Sequence, residues 1–355
     1  MQKIYKDLFV LDLANNHFGD LKHAKKIVDN FSIIIKKFQI NACIKFQFRD
    51  LDSYIHPKFK NDKNDKFVNR FMSTKLEKKE LKLLFEYIKK KNIKTCCTPF
   101  DEKSIDIIEE FNFDFLKIAS VSSNDWTLIE RSSQNNIPKI ISTGGRSIKD
   151  IDKIFSFFSQ KKQEFSIMHC VSIYPTDAKD SELHNIKKLL TRYNNEVTIG
   201  WSTHEDPKNL FIGPLAYSLG ARMFEKHIGI ESKKYKLNKY SITPKLFEKY
   251  LQKMKETKNI IGNENEKIVR NLEIKTLSSL ERGVYLKKDL KKNEYLLPEN
   301  IYLAFPKIPN QLSSSGFSFK HKKMKILKDL KKDQPIKNKQ VRIIENKKII
   351  NLTDY

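Results

Sequence analysis

The chain has 355 residues, 39% of them apolar and 31% charged, which supplies a large core and excludes a disordered chain. Its 68 Lys and Arg against 43 Asp and Glu give a net charge of +25. Lysine is nevertheless spread along the whole sequence with no recognised nucleic-acid motif beside it, so nucleic acid is excluded as the expected partner, and a small anionic substrate suits the surplus better.

No apolar run approaches the roughly 18 residues needed to span a bilayer, and the start, MQKIYKDLFVLDL, lacks a signal peptide's apolar region and cleavage site. A cytoplasmic protein with no membrane partner is expected. Cys43, Cys96, Cys97 and Cys170 sit in apolar strand-like runs without zinc-site or disulfide-framework spacing, and read as reduced core thiols.

In chain order, short β-branched or apolar runs alternate with longer amphipathic ones. The predicted strands are Leu8–Leu13, Ala42–Phe46, Ile93–Cys97, Phe113–Ile118, Lys139–Ser142, Phe165–Cys170, Val197–Gly200 and Arg222–Lys226. Helical patterns between and after them include Leu21–Phe38, Lys78–Lys91, Trp126–Gln134, Ile148–Ser159, Glu182–Tyr193, Pro207–Leu219 and Lys245–Lys258. Eight strand-then-helix units point to an α/β fold, a closed (β/α)8 TIM barrel of about 250 residues.

Beyond Lys258 the pattern changes. A barrel domain is expected over residues 1–262, a linker over 263–277, and a small β-rich domain over 278–355, in which no internal repeat is read.

Polar residues gather where the predicted strands end: Asn16 and His17, Lys45 and Gln47, Thr98, Lys117 and Ser120, Ser142 and Thr143, Ser172 and Tyr174, Ser202 and His204, Glu225 and His227. A barrel enzyme builds its active site on that face. Lys45 and Lys117, with the hydroxyls of Thr98, Ser120, Ser142 and Ser202, make a cradle for a small, highly charged anion. His204 and His227, on successive strands, suit a divalent metal such as Mn²⁺, with two hydrogen-bonded histidines as the alternative.

The segments LDLANNHFGD, KFQ, CTPFD, LKIAS, ISTGG, MHCVSIYPT, IGWSTHE and GARMFEKHI occur in the order of the signature segments of the sialic acid synthase family, which includes legionaminate and pseudaminate synthases. The tail ERGVYLKKDLKKNEYLLPENIYLAF resembles the antifreeze-like (SAF, β-clip type) domain that closes those enzymes.

The resemblance implies condensation of phosphoenolpyruvate with an open-chain aldose to a 3-deoxy-2-keto sugar acid and phosphate. It implies a divalent cofactor, Mn²⁺ preferred with Mg²⁺ or Co²⁺ as alternatives, and a domain-swapped homodimer. Carried over by position, Lys45, Thr98, Lys117, Ser120, Ser142, Ser172 and Ser202 bind phosphoenolpyruvate, and His204 and His227 bind the metal. Asn16, His17, Gln47, Ser122, Tyr174 and Asn238 face the sugar, and Asp12, Lys45, Lys117, His204 and His227 are catalytic.

Departures from the family pattern cluster on the sugar side. Asp12 replaces a longer glutamate, Ser122 a glutamate, Thr203 and Asn238 aspartates, and Phe305 an arginine. They imply an acceptor other than the usual one. The competing readings are a lapsed sugar-binding barrel or a different phosphoenolpyruvate-dependent keto-sugar-acid synthase.

Overall fold

Eight of the apolar runs pair, all in parallel and in sequence order, into a closed barrel. They are β1 (Leu8–Asp12), β2 (Ala42–Phe48), β3 (Lys94–Pro99), β4 (Phe115–Ile118), β5 (Lys139–Ser142), β6 (Phe165–Cys170), β7 (Ile199–Ser202) and β8 (Met223–His227). The barrel closes where β8 pairs β1, from Leu8 opposite Met223 to Asp12 opposite His227. This computed structural model describes residues 3–345 except 61, 63, 195, 263–265 and 316–321. Contacts divide the chain into two units, residues 1–262 and 263–355.

The helices of the first unit are α1 (Leu21–Phe38), α2 (Leu51–Tyr54), α3 (Lys66–Ser73), α4 (Lys78–Lys90), α5 (Glu102–Phe111), α6 (Trp126–Ser132), α7 (Ile148–Gln160), α8 (His184–Arg192), α9 (Ile212–Ser218) and α10 (Pro244–Ile261). Side chains of a strand alternate between faces, and here the alternation separates two cores. Ile44, Phe46 and Phe48 of β2 join Ile27, Phe31 and Ile88 of the helices in the outer core. Val10, Cys43, Cys96, Phe115, Ile140, Met168 and Met223 form an apolar plug of their own.

Two residues further along the strands, the same parity carries Asp12, Lys45, Thr98, Lys117, Ser142, Cys170 and Glu225. The barrel interior is thus apolar below and polar above, towards the strands' C-terminal ends. All four cysteines are free and buried.

Strand ends differ from the sequence expectation where glycine reads as a stop. β7 runs to Ser202 through Gly200, whose missing side chain admits close neighbours: a Cβ there would lie 2.9 Å from the Met223 carbonyl oxygen and 3.0 Å from Met168 Cε. The helix expected from Pro207 begins only at Ile212, because turns fill the stretch before it; the Asp206 side chain accepts from the Lys208 N–H. The β2-to-β3 connection carries α2 and α3 in addition to the expected helix. Asp65 starts α3 by accepting from the Phe67 and Val68 N–H groups.

The second unit holds α11 (Asn271–Ser279) and the strands β9 (Gly283–Leu286), β10 (Ile301–Ala304), β11 (Lys322–Ile326) and β12 (Val341–Glu345), paired β9 with β10 and β11 with β12, both antiparallel. Contrary to the sequence reading, it contains a repeat. Asp289–Lys292 and Asp329–Lys332 share the sequence DLKK and answer each other. Leu290 and Leu330 exchange both backbone hydrogen bonds, at 3.0 and 2.9 Å. Asp329 accepts from the Lys292 N–H and pairs Lys291, while Asp289 accepts from the Lys332 N–H and pairs Lys331. The helix α11 also begins inside the stretch expected to be linker. Residues 346–355 of the expected β-rich domain lie outside the described residues. Among the described residues no helix is long and apolar enough to cross a membrane.

Candidate active site

At the C-terminal ends of the strands the barrel opens into a cavity of about 870 Å³, within the size range of small-molecule sites. Its floor is an ionic cluster. Glu225, at an inward position of β8, accepts from Lys45 Nζ of β2 at 2.9 Å and from Lys117 Nζ of β4 at 2.8 Å. Lys45 also meets Asp12 Oδ2 at 3.0 Å, and Lys117 donates to Ser142 Oγ at 2.6 Å.

These groups are almost wholly buried. Burial alone would push the Glu225 carboxyl up, but Lys117 and Lys45 outweigh it and hold it well below the usual carboxylate range. Burial would likewise lower the Lys45 ammonium, yet Asp12 and Glu225 raise it. Glu225 and Lys45 therefore stay charged at neutral pH.

Beside the lysines, Ser120, Ser142, Ser172 and Ser202 line the cavity. Ser120 and Ser172 converge because Gly144 has no side chain: a Cβ there would lie 2.2 Å from Ser172 Oγ and 2.8 Å from Ser120 Oγ. The Gly144 N–H itself donates to Ser120 Oγ at 2.9 Å. Two ammonium groups, a main-chain turn and four hydroxyls make a setting for a phosphate or carboxylate.

The histidines stand side by side, ring centroids 5.3 Å apart, with Tyr174 against His204 at 4.2 Å and Tyr240 against His227 at 5.1 Å. His204 Nδ1 meets the Val171 carbonyl at 3.2 Å. A carbonyl only accepts, so Nδ1 carries the proton and Nε2 keeps its lone pair. Burial, with His227 adding, pushes His204 down to about 3, and burial lowers His227. His227 Nδ1 is buried without a hydrogen-bond partner among the described residues, and its Nε2 lies 3.5 Å from Asp12 Oδ2.

Two neutral imidazoles with an orphaned ring nitrogen fit a divalent cation. Among the described residues no group of three or more His, Cys, Asp or Glu side chains is placed to hold one. A cation on this pair would therefore take its remaining ligands from substrate and water.

The other residues singled out from sequence divide. Gln47, Tyr174 and Asn238 line the cavity, and Gln47 donates to Asp12 Oδ2 at 3.0 Å. Thr98 is buried next to the floor by parity, does not line the cavity, and its hydroxyl has no partner among the described residues. Asn16, His17 and Ser122 do not line the cavity either. The Asn16 amide donates to the Ile228 carbonyl and to Ser241 Oγ, tying the loop after β1 to the one after β8. His17 accepts from the Gly19 N–H, and burial pushes it down to about 4. Ser122 is buried in a 3₁₀ turn, flanked by Val121, whose side of the turn meets the cavity. These three, expected to face the sugar, stand back from the cavity lining in this structure.

Sequence reasoning gave Glu225 no role, although it holds both lysines. It also passed over Arg49, Lys66, Arg70 and Arg146, which line the cavity mouth.

The sequence matches the NeuB family over residues 36–266. The chain belongs to the NeuB family. A solved structure described as spore coat polysaccharide biosynthesis protein E from Chromobacterium violaceum shares 34% identity and superposes with a TM-score of 0.91, covering 94% of this chain and 99% of that one. The N-acetylneuraminic acid synthetase of Leptospira borgpetersenii is 30% identical with a TM-score of 0.66, over 76% of this NeuB-family chain and 89% of that one. Among curated relatives, the N-acetylneuraminate-9-phosphate synthase of Drosophila melanogaster is 29% identical over 242 residues. That match takes in 64% of this chain and 62% of the fly protein's length.

Proposed function

We propose that the chain condenses phosphoenolpyruvate with an open-chain aldose, giving a 3-deoxy-2-keto sugar acid of the nonulosonate type and inorganic phosphate, in the biosynthesis of a surface-glycan precursor in the cytoplasm. The observation that carries this reading is the floor of the cavity. Two buried lysines, four hydroxyls and the Gly144 turn are gathered on the catalytic face of a NeuB-family barrel, beside two neutral histidines.

In this reaction carbon 3 of phosphoenolpyruvate forms a bond to the aldehyde carbon, whose oxygen takes up a proton. Water adds at carbon 2 and loses a proton, and phosphate leaves with the bridging oxygen, so the ketone oxygen comes from water. Lys45 and Lys117 hold the anion and stabilise charge as it moves from carbon 3 to the carbonyl oxygen. Ser120, Ser142, Ser172 and Ser202, with Thr98 beneath, orient its phosphate and carboxylate.

Asp12 reaches Lys45 and Gln47 and lies 3.5 Å from His227, and is the group that takes the proton from the attacking water. Gln47, Tyr174 and Asn238 orient the sugar. His204 and His227 would hold the divalent cation, Mn²⁺ by preference, which when bound supplies Lewis acidity towards a carbonyl. The second unit is proposed to be the antifreeze-like domain, and the assembly a domain-swapped homodimer.

Heavy-oxygen labelling of the bridging position of phosphoenolpyruvate tests the reading. The label is expected in the released phosphate; label retained in the organic product contradicts it.

A further inference from the structure

The cavity mouth carries charge that the floor does not use. Arg49 follows β2 directly, and its guanidinium carbon lies 3.6 Å from the ring centroid of Phe100 and 4.1 Å from that of Phe71. Held between two aromatic rings, the guanidinium has a fixed plane and a fixed direction for its N–H edge. One terminal nitrogen reaches Gln47 Oε1 at 3.4 Å, while Nε is buried with no hydrogen-bond partner among the described residues.

Arg70 and Lys66 of α3 line the same cavity. Neither pairs with a carboxylate among the described residues, and the neighbouring acid, Asp65, is engaged in capping α3. Arg146, by contrast, is committed to the neighbouring loop after β4 through Ser120 O and Ser123 Oγ. The floor lysines already face Asp12 and Glu225. Positive charge outside any close carboxylate pair among the described residues is thus concentrated on the β2-to-β3 connection, whereas the hydroxyls come from the ends of β4 to β7. A buried N–H left unpaired costs free energy that an incoming anion recovers.

We propose that Arg49, Arg70 and Lys66 form a second anion subsite, which binds a phosphate or carboxylate carried by the acceptor sugar at the end remote from its aldehyde. The inference rests on the condensation reading, because it needs an acceptor whose aldehyde points to the floor. The arginine forks suit the paired oxygens of either group.

The test uses the full-length protein with Mn²⁺ and phosphoenolpyruvate, and three acceptors of one stereochemistry: N-acetylmannosamine, its 6-phosphate and its 6-uronate. Either anionic acceptor is expected to show a kcat/KM ~10-fold or more above the neutral sugar, and the two arms separate phosphate from carboxylate. Arg70→Gln, at a half-exposed position, and Arg49→Lys, which keeps the charge but loses the fork, should each raise KM for the anionic acceptor ~10-fold. KM for phosphoenolpyruvate should not move.

Equal or better use of the neutral sugar overturns the subsite, as does a rise in the phosphoenolpyruvate KM of the variants, which would assign the rim to that substrate. If no acceptor releases phosphate, the condensation reading fails separately. The subsite is then decided by calorimetric titration of the 6-phosphate into wild type and Arg70→Gln: binding weakened by the substitution supports it, and unchanged or absent binding rejects it.

Discussion

Glu225 organises the floor at the scale of single residues, since one buried carboxylate holds two ammonium groups brought in by β2 and β4. Removing one member of such a cluster leaves buried charge uncompensated. Glu225→Gln should therefore lower stability by ~3 kcal/mol or more in urea unfolding, and reduce phosphoenolpyruvate turnover. Gly144→Ala places a methyl where the Ser120 and Ser172 hydroxyls converge, so KM for phosphoenolpyruvate should rise ~10-fold or more while the fold, read by circular dichroism, persists. Lys139 begins β5 at the opposite end of the barrel, donating to Asn135 and Gln163. Burial lowers its ammonium from 10.5 to about 8. Between those values the folded chain has released a proton that the unfolded chain keeps, so stability rises with pH across that window. The unfolding free energy of wild type relative to Lys139→Met should grow by ~1–3 kcal/mol between about pH 7.5 and about pH 10; a difference that shrinks would contradict this. Lys45, Lys117 and the serines could be read from sequence because each ends a strand. Glu225 was legible only as one more polar residue at a strand end, because its partners lie 180 and 108 residues away and no local pattern announces them. Asn16 also follows a strand, and its ties to Ile228 and Ser241 in a neighbouring loop are equally unannounced by any local pattern.

The strands place the chemistry through parity. Inward positions of β1, β2, β4 and β8 are apolar at the plug and ionic one step later, so a one-residue slip would bury the charges among the helices. The histidines belong to elements that are locked together. Glu205, next to His204, forms a buried ion pair with Lys226, next to His227, and Lys226 also lies over the Tyr250 ring at 5.0 Å. This pair ties together the two segments that carry the rings. Glu205→Gln should weaken Mn²⁺ binding ~10-fold, measured directly by titration of the metal, and lower kcat more than it changes KM for phosphoenolpyruvate. In the second unit, the paired DLKK turns predict matched effects: Leu290→Ala and Leu330→Ala, both buried, should each cost ~2–5 kcal/mol in stability. Alternation of strands and helices was legible because the apolar periods are strong. The shift of β7 was not, since Gly200 reads locally as a break while its role is to admit Met168 and Met223. The β2-to-β3 helix α3 escaped because it is only 8 residues long and its apolar pairs, Phe67–Val68 and Phe71–Met72, are not buried in the core.

For the molecule as a whole, an ionic floor, a pair of neutral histidines and a cationic mouth share one cavity of a NeuB-family barrel. The net charge of +25, uninformative as a total, acquires meaning from where a few of its members lie. In the proposed reaction this cavity joins phosphoenolpyruvate to an aldose. That reaction is tested most directly by following inorganic phosphate released from phosphoenolpyruvate by the purified protein, with and without Mn²⁺ and an aldose panel. Release that requires both the metal and an aldose is predicted, and is abolished in His227→Ala. Release that proceeds without any aldose, or none with any member of a broad panel of neutral and anionic sugars, would contradict it.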